Sequence, residues 1–308
     1  MQAGYYLGIE SQREESRGLV SGFHATGEGT LEGETRKGHT YRFGPENNGT
    51  IVVANTQLLR EKVFKLVYDV YLSKGYDLRI GRESGLWCTI HSLHPDTMLF
   101  LAQKAGKPVG AVIVIPDSRL GLPSDFIFPE PLGSLRTEGR RLCEVSSLVI
   151  AEGLELGVLE LPLHLCRLAY LTIAHLLKGT DMIASFMAHH AAFYSRFLLF
   201  DDVSPDSRLS PKTGQQVRFG RLNLETMKSR YETRFNHLNG RRNLYRWFFM
   251  SEEERGVILE WLQRNRMPMT SEELQYFGTC KSNILSDAGY DSVAILMEYY
   301  RKAAAVRY

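Results

Sequence analysis

Residues 142–150 of this 308-residue chain, "LCEVSSLVI", place one carboxylate in an apolar run. In an extended strand, alternation puts one set of side chains on the same, largely apolar face: Leu142, Glu144, Ser146, Leu148 and Ile150. A carboxylate on such a face is either paired with a cation, here Arg140 or Arg141, or held at a raised pKa. A raised pKa suits a base that takes a proton from an ammonium group, directly or through water.

A second stretch, "ASFMAHHAAFYSRFLLFDD" at residues 184–202, holds two histidines and a tyrosine one turn later. Tyr194 lies four residues after His190, on the same face of a helix. His189 and His190 could orient a substrate or act as a base near neutral pH, or they could cap backbone groups. Alternatively, Tyr194 could belong to an aromatic packing stripe with Phe193 and Phe197, with its phenol at the surface. The sequence suggests no third ligand for zinc, so we expect no metal site.

The elements that would position these residues can be predicted from hydrophobic periodicity and turn residues. The pattern predicts a strand at 50–55, a helix at 56–75, a β-hairpin at 98–118, a strand at 142–150, a buried helix at 159–179, a strand at 182–188, a short helix at 189–200 and a strand at 215–224. Ala105 to Pro108 supply the turn of the hairpin, and Pro162 lies near the first turn of the buried helix. The central part of the chain is therefore predicted to mix helices and strands.

Three regions differ in composition. Residues 1–47 are rich in Gly, Glu and Thr, and we expect a flexible N-terminal tail because few apolar side chains could offset the entropy of ordering. Residues 48–225 form the predicted mixed domain. Residues 226–308 form a helical C-terminal region, in which Ser251 with Glu254 and Thr270 with Glu273 have the spacing of capping boxes. This region is either a structural appendage or a partner-docking element.

Bulk composition narrows the class of protein. The net charge of +2 gives no global argument for nucleic acid or an acidic membrane surface. The four cysteines, which form no CxxC pair, are expected to be buried, inert thiols in a reducing compartment: Cys88, Cys143, Cys166 and Cys280. A basic-then-apolar leader and a run of about 18 apolar residues are both missing from the sequence, so we expect a cytoplasmic protein without a transmembrane segment.

The order of elements, together with "CEVSSLVI" and "AHHAAFYSRFLLFDDV", resembles the Gcn5-related N-acetyltransferase (GNAT) fold over residues 50–225. The first motif is similar to the Glu-[Val/Ile]-Ser core of acyl-homoserine-lactone synthases. The second is similar to the corresponding stretch of the long-chain N-acyl amino acid synthases. The resemblance implies an α+β fold, with a mixed, mostly antiparallel sheet flanked by helices, followed by a C-terminal helical extension.

The resemblance also implies roles for individual residues. Glu144 would be the base, and a bulge would free backbone N–H groups around Ser146 and Ser147 to stabilise an oxyanion. Tyr194 would protonate the leaving thiolate. Seven further residues would line the site for the acyl thioester and the acceptor: His189, His190, Leu148, Ile150, Gly153, Gly157 and Arg140.

The loop that follows the central strand bears on the acyl donor. GNAT enzymes that use acetyl-CoA usually carry an Arg/Gln-x-x-Gly-x-Gly/Ala loop for the pyrophosphate. Here "AEGLELGVLEL" keeps Gly153 and Gly157 but adds Glu152, Glu155 and Glu160. These carboxylates disfavour a pyrophosphate, whereas the phosphopantetheine arm of an acyl carrier protein presents only one phosphate.

Arginines would bind the two partners. Carrier proteins are acidic, and one group of arginines could form a docking patch or simply a solvated basic loop: Arg136, Arg140 and Arg141, assisted by Arg167 or Arg196. The carboxylate of an amino-acid acceptor would need a cation, for which Arg60, Arg79 and Arg82 are the candidates. The first helix reads "REKVFKLVY", with Val67 where the relatives have a second arginine.

We therefore expect a bacterial, cytoplasmic N-acyltransferase that moves a long-chain fatty acyl group from an acyl carrier protein thioester to the α-amine of an amino acid. It would have no tightly bound cofactor, and acyl-phosphopantetheine or acyl-CoA would be its co-substrate. The alternatives are an acyl-homoserine-lactone-type synthase, an acetyl-CoA-dependent N-acetyltransferase, and a catalytically silent module that binds acyl thioesters or a partner.

Overall fold

A nine-stranded sheet is the frame of the molecule in the computed structural model, which describes residues 23–24, 40–44, 48–153 and 159–305. The strands are β1 (Phe23–His24), β2 (Thr40–Phe43), β3 (Gly49–Val53), β4 (Met98–Lys104), β5 (Lys107–Pro116), β6 (Leu142–Ile150), β7 (Asp181–Met187), β8 (Asp201–Leu209) and β9 (Gln216–Asn223). Their order in the sheet is β1-β2-β3-β4-β5-β6-β7-β9-β8. Every neighbouring pair is antiparallel except β6 with β7.

Helices flank this sheet and then continue as a C-terminal group. They are α1 (Gln57–Ser73), α2 (Pro129–Thr137), α3 (Glu160–Leu171), α4 (Ala191–Arg196), α5 (Leu224–Phe235), α6 (Leu244–Phe248), α7 (Glu252–Asn265), α8 (Ser271–Gln275), α9 (Ile284–Asp287) and α10 (Gly289–Ala305). Thr56 caps α1 by accepting a hydrogen bond from the backbone N–H of Leu59. The predicted helix after β6 is α3, extended by a single π turn, Thr172–Leu176.

The two faces of the sheet have separate hydrophobic cores. On the α1 face, helical side chains meet strand residues: Val63, Phe64 and Val67 with Leu99, Leu101 and Ile113. On the α3 face, the same pattern joins Leu165, Leu168 and Ala169 to Phe100, Val112 and Val114. Complete burial of each such side chain contributes about 1.5–3 kcal/mol, so both helices are fixed on the sheet.

Three strands lie where the sequence did not predict any, and the two-residue strand β1 is one of them. Strand β2 falls within the stretch expected to be a flexible tail, yet Tyr41 and Phe43 are fully buried on the α3 face. Two aromatic residues in a polar segment suffice because they join a core that the rest of the chain builds. Strand β8 reads "DDVSPDSRL" and lacks apolar alternation, since it is an outer strand of the sheet, where polar residues and proline are tolerated.

The C-terminal helices pack against both faces of the sheet region. Tyr231, Phe248 and Trp261 belong to the core of the α3 face. On the α1 face, Phe277 packs edge-on against Phe64 of α1, with ring centroids 5.3 Å apart. The capping box predicted at Thr270 and Glu273 is present at the start of α8. The described helices thus share their cores with the sheet.

The cysteines follow the prediction in part. Cys88, Cys143 and Cys166 are free and buried, and burial raises the pKa of each thiol. Cys280 is free but exposed, which corrects the expectation that all four are buried. It ends the π turn Tyr276–Cys280 that follows α8, where the chain leaves the core.

Candidate functional site

A fork between β6 and β7 opens the sheet beside Glu144. The two strands pair in parallel over only three positions, Leu142–Glu144 against Asp181–Ile183. Both strands continue, β6 to Ile150 and β7 to Met187, without pairing again. The strand edges that face each other beyond Glu144 therefore lack ladder partners, which leaves backbone groups available to a ligand.

A β-bulge in β6 lies next to this fork. Ile113 pairs with Ser146 and Ala111 pairs with Val149, so β6 has one more residue than β5 over this interval. Ser147 takes up the extra residue with a φ of 54°, in the left-handed region that few residues other than glycine adopt. The bulge expected around Ser146 and Ser147 is therefore present in the strand.

The bulge also corrects the predicted face of the strand. Simple alternation placed Leu148 and Ile150 beside Glu144, but an added residue reverses the alternation after Ser147. Leu148 and Ile150 pack on the α3 face, whereas Val149 joins the α1 face together with Leu142. The two predicted substrate-lining residues thus lie on the opposite face of β6 from Glu144.

Glu144 is buried, and none of the described cations lies within ion-pair distance of it. Its Oε2 accepts a hydrogen bond of 2.9 Å from the backbone N–H of Ser124. Burial raises the pKa of Glu144 to about 7, although the hydrogen bonds from Ser124 and the charge of Lys212 oppose this rise. A carboxylic acid with such a pKa exchanges its proton near neutral pH, which is what a general base requires.

The alternative for Glu144, an ion pair with a neighbouring arginine, is wrong. The Arg140 guanidinium binds Asp181 at 2.6 Å and Glu225 at 2.7 Å. Arg141 donates from Nε to the carbonyl oxygen of Lys178 at 2.6 Å. Residue 140 follows Gly139, which has a φ of 74° and turns the chain, so both guanidinium groups point toward β7 and β9 rather than along β6.

Ser124 links Glu144 to the other strand of the fork. It lies in a single 3-10 turn, Pro123–Phe126, and its hydroxyl is 2.6 Å from the hydroxyl of Ser185 on β7. Hydroxyl groups both donate and accept, so a chain of polar groups runs from the carboxylate through Ser124 to Ser185.

Tyr71 near the end of α1 is a polar residue that sequence reasoning missed. Its phenol lies close enough to Ser147 and to Glu144 for both to influence its pKa. Burial raises the pKa of Tyr71 to about 12, and the Ser147 side chain opposes the rise. The signal was present in the sequence, because Tyr71 lies four residues after Val67 and so continues the buried stripe of this helix.

Tyr194 is buried among aromatic rings. It stacks on Phe186 of β7 with centroids 4.1 Å apart, and contacts Phe193 and Phe200 edge-on. Burial raises the pKa of Tyr194 well above its usual value, with smaller contributions from Cys166 and Tyr71. Tyr194 therefore does pack in an aromatic cluster, but its phenol is not at the surface as the packing alternative supposed.

The two histidines stand apart from this cluster. His189 and His190 are exposed, with ring centroids 4.1 Å apart, at the end of the fork. Partial desolvation and the charges of His189 and Lys74 lower the pKa of His190. The structure gives neither histidine the buried setting of Tyr194, so the prediction that they act on a substrate stays a prediction.

On the other side of Glu144, a half-buried lysine and a buried histidine come from loops. Lys212, between β8 and β9, lies over the ring of Phe126 at 5.0 Å from its centroid. The His91 ring approaches the same ring edge-on, at 6.4 Å. Neither residue carried a sequence signal, because loop residues have no periodicity that places them in space.

The loop after β6 is only partly described. Gly153 is exposed and has a φ of 73°, as a turn requires. Gly157 and Glu155 lie outside the described residues. Glu152 forms an ion pair of 2.6 Å with Lys74, just after α1, and Glu160 lies 3.5 Å from Arg241.

Most arginines of the predicted docking patch have internal partners. Arg136 binds Asp117 and Asp125, both at 2.6 Å. Arg167 is buried against Glu254. Arg141 and Arg196 are exposed and have no carboxylate partner in the described part of the chain.

Among the candidates for the acceptor carboxylate, Arg60 is already used. Its guanidinium forms a buried ion pair of 2.5 Å with Glu273 of α8. Arg79 and Arg82 are exposed beside Asp77. The described residues also contain no group of three or more His, Cys, Asp or Glu that could hold a metal ion.

Together these groups suit acyl transfer to an amine. Such a reaction needs a base for the ammonium, N–H donors for the developing oxyanion and a donor for the departing thiolate. A carboxyl group of raised pKa and a bulged strand edge lie at the fork, Tyr71 lies near both, and Tyr194 lies near Tyr71 within the α3-face core. Among the described helices, none combines the length and the apolar composition needed to cross a bilayer.

Comparison with known proteins gives one family and several related structures. The model of the family described as N-acyl amino acid synthase FeeM matches residues 62–223, more than half of the chain. The structure of FeeM, from uncultured soil microbes, is 20% identical, covers 59% of this chain and 93% of that chain, and has a TM-score of 0.51. The acyl-homoserine-lactone synthase LasI is 14% identical, covers 57% and 90%, and has a TM-score of 0.42. No curated protein matches the chain. The likeness to FeeM confirms the predicted α+β fold.

Proposed function

Because this chain belongs to the FeeM family of N-acyl amino acid synthases and is an N-acyltransferase, we propose that it transfers a long-chain acyl group from a carrier-protein thioester to the α-amine of an amino acid. The fork between β6 and β7 is the observation that carries the proposal. Glu144 is the last residue of β6 that pairs with β7, so the base lies where the two strands separate. A thioester placed between the two strands would have the carboxylate of Glu144 at one end of the opening and Tyr194 on the α3 face of the sheet.

Glu144 serves as the base in this proposal. The ammonium group of an amino acid must lose a proton before its nitrogen can attack the thioester carbonyl. At pH 7 a group with a pKa of about 7 is about half deprotonated, so it can accept that proton and later release it to water. The hydrogen bond from Ser124 keeps the carboxylate oriented while its charge changes.

The bulged strand supplies the oxyanion site in this proposal. Attack on the thioester puts negative charge on the carbonyl oxygen, and backbone N–H groups on the open edge of β6 around Ser146 and Ser147 can donate to it. Because these donors belong to the backbone, they need no reorganisation during the reaction. Losing one such donor costs about 3–4 kcal/mol in the barrier, which is why the bulge matters more than the serine hydroxyls.

Tyr194 stabilises the leaving thiolate in this proposal, and Tyr71 supports the other side of the opening. A thiol has a pKa of about 8.5, far below that of a buried phenol, so complete proton transfer from tyrosine to the thiolate is unfavourable. The high pKa of Tyr194 keeps its hydroxyl protonated at every working pH. The phenol therefore acts as a hydrogen-bond donor to sulfur.

Local charge supports a carrier-protein donor. A CoA donor would bring two further phosphates to the loop after β6. In the described residues, Lys74 contacts this loop at Glu152, and Arg241 contacts the start of α3 at Glu160. Both cations are therefore already paired with glutamates. A phosphopantetheine arm, with one phosphate, makes a smaller demand. A cytoplasmic location belongs to the same proposal, since the free thiols suit a reducing compartment.

One experiment tests the proposal. The purified protein is incubated separately with palmitoyl carrier protein, palmitoyl-CoA and acetyl-CoA, each with the twenty standard amino acids, and amides are detected by mass spectrometry. We expect N-palmitoyl amino acids, with the carrier protein as the better donor, and much less product from the Glu144→Gln variant. If acetyl-CoA were the only one of the three donors to give a product, a long-chain donor would be excluded. No amide from any donor would favour a silent thioester-binding module.

A further inference from the structure

A half-buried cation without a counter-ion lies beside the proposed base. Lys212 is held in the loop between β8 and β9, where its carbonyl oxygen accepts a 3.1 Å hydrogen bond from the backbone N–H of Arg79. None of the described carboxylates has an oxygen within 4.0 Å of its ammonium group. The aromatic ring of Phe126 is the closest partner of that ammonium in the described residues, at 5.0 Å.

The single turn Pro123–Phe126 joins this cation to the base. Its Ser124 donates to Glu144, and its Phe126, two residues later, lies under Lys212. Arg208 of β8 donates to the carbonyl oxygen of Ile127 at 2.8 Å, which fixes the hairpin that carries Lys212 against the same turn. The distance between ammonium and carboxylate exceeds that of an ion pair, yet each affects the charge of the other.

A buried ring nitrogen lies on the other residue that contacts Phe126, His91. His91 is buried, with 3% of its surface exposed, and its Nδ1 has no hydrogen-bond partner in the described residues. Burial, together with the charge of Lys212, lowers the pKa of His91 to about 4, so the ring is neutral at pH 7. A buried lone pair without a donor is costly, and a ligand with an N–H group would satisfy it.

We propose that Lys212 binds the α-carboxylate of the acceptor amino acid, with His91 Nδ1 accepting a hydrogen bond from the same ligand. This inference rests on the proposed function and specifies its acceptor. Lys212 offers a cation for a carboxylate, His91 Nδ1 an acceptor for an N–H, and Glu144 a base for the amine. An α-amino acid carries these complementary groups within a few bonds of one another. Lys212 thus replaces the arginines considered from sequence.

The other charges around Lys212 agree with this assignment. Asp125, in the same turn, is occupied by Arg136 at 2.6 Å. Asp77, near the hairpin, is bound by Arg82 at 2.7 Å. These two acidic side chains are therefore paired with other cations, and Glu144 is the acidic group whose charge acts on Lys212, opposing the lowering of its pKa by burial.

A comparison of acceptors with and without the carboxylate charge tests the inference. With palmitoyl carrier protein as donor, kcat/KM is measured for the twenty L-amino acids and for the corresponding α-carboxamides. The carboxamides keep the amine and the side chain but lack the carboxylate charge. We expect the parent enzyme to prefer acids, and Lys212→Met to lower kcat/KM for acids by about 10- to 100-fold, as for loss of a charge-assisted hydrogen bond. Amides should change by less than about threefold, since an uncharged group gains little from the ammonium.

Two variants serve as controls. Lys212→Arg retains the charge and should recover most of the preference for acids. Lys107→Met removes the same charge from the exposed β4–β5 hairpin and should leave both acceptor classes unchanged. An equal loss for acids and amides in Lys212→Met, or a parent enzyme indifferent to the carboxylate, would overturn the inference while leaving acyl transfer intact. Absence of any amide product would instead reject the proposed function itself.

Discussion

At the scale of single residues, Glu144 links activity to pH. The base works in its deprotonated form, so kcat/KM should rise with pH through about 7 and then level off. Glu144→Gln keeps the shape and still accepts from Ser124, but it cannot take a proton. We expect its rate to fall on the order of 100-fold or more and the limb near pH 7 to vanish. Initial rates from pH 5 to 9 measure this, and Glu138→Gln, on an exposed loop, is the control.

The same substitution should make the protein more stable at alkaline pH. A carboxyl group whose pKa is higher in the folded state contributes stability below its unfolded pKa of about 4.5, and this contribution is lost as pH rises through about 7. At pH 8 the parent protein contains a buried carboxylate that Glu144→Gln lacks. We expect the variant's free energy of unfolding, relative to the parent, to increase from pH 5 to pH 8 by up to about 3 kcal/mol. Urea denaturation at both pH values measures this difference, and a constant difference would argue against the raised pKa.

Removing the hydroxyl of Tyr194 should lower the rate of acyl transfer more than removing that of Tyr71. Tyr194→Phe removes the donor proposed for the thiolate, so we expect the single-turnover rate of acyl transfer to fall about 10- to 100-fold, with donor affinity nearly unchanged. Tyr71→Phe removes a hydroxyl near Ser147, and a smaller loss is expected because that hydroxyl borders the bulge and is not the proposed donor to sulfur. Rapid-quench measurements separate binding from chemistry. Tyr231→Phe, a buried phenol away from the fork, is the control, and a Tyr194→Phe rate equal to the control's would remove Tyr194 from the mechanism.

At the scale of elements, the bulge in β6 depends on the backbone conformation of Ser147. Glycine adopts a φ of 54° freely, whereas a β-branched residue is strained there by about 1–2 kcal/mol. We expect Ser147→Gly to retain stability and most activity, and Ser147→Val to lose both. Ser146→Val, at the neighbouring position outside the left-handed region, should be the milder change. Equal thermal midpoints and rates for the two valine variants would show that the bulge conformation is unimportant.

Sequence predicted the elements but not how their side chains meet. The strand around Glu144, the hairpin before it and the helix 56–75 all follow from apolar periodicity. The reversal of Leu148 and Ile150 could not be predicted, because alternation assumes a regular strand and a bulge is set by the neighbouring strand. Lys212 and His91 come from segments distant in sequence and meet at Phe126, in the turn that bonds Glu144, and only the fold brings them together. Charge alone misassigned Arg60 and Arg140, whose partners are internal.

At the scale of the whole molecule, one buried ion pair fastens the C-terminal helices to α1. Arg60 binds Glu273 and donates to the carbonyl oxygen of Met267 at 2.6 Å. Glu273→Met leaves a buried guanidinium without its counter-ion, and Arg60→Met leaves a buried carboxylate, so we expect each single variant to lose about 3–5 kcal/mol in the free energy of unfolding. The double variant Arg60→Met with Glu273→Met should recover most of it, because no charge stays buried. Urea denaturation of the single and double variants completes the cycle, and additive losses would mean that the pair is not coupled.

The shared cores further predict that the sheet and the C-terminal helices unfold together. Trp87 lies on the α1 face, where it contacts Tyr71 edge-on, while Trp247 and Trp261 belong to the C-terminal helices. The chain has three tryptophans, so Trp87→Phe reports the C-terminal region and Trp247→Phe with Trp261→Phe reports the sheet region. We expect the fluorescence midpoint of each variant in urea to coincide with its own midpoint by circular dichroism, as in a two-state transition.

A chain cut after residue 225 should fail to fold, because its sheet would expose the surface that Tyr231, Phe248 and Trp261 cover. Two separate midpoints, or a stable and active fragment 1–225, would instead make residues 226–308 an independent domain.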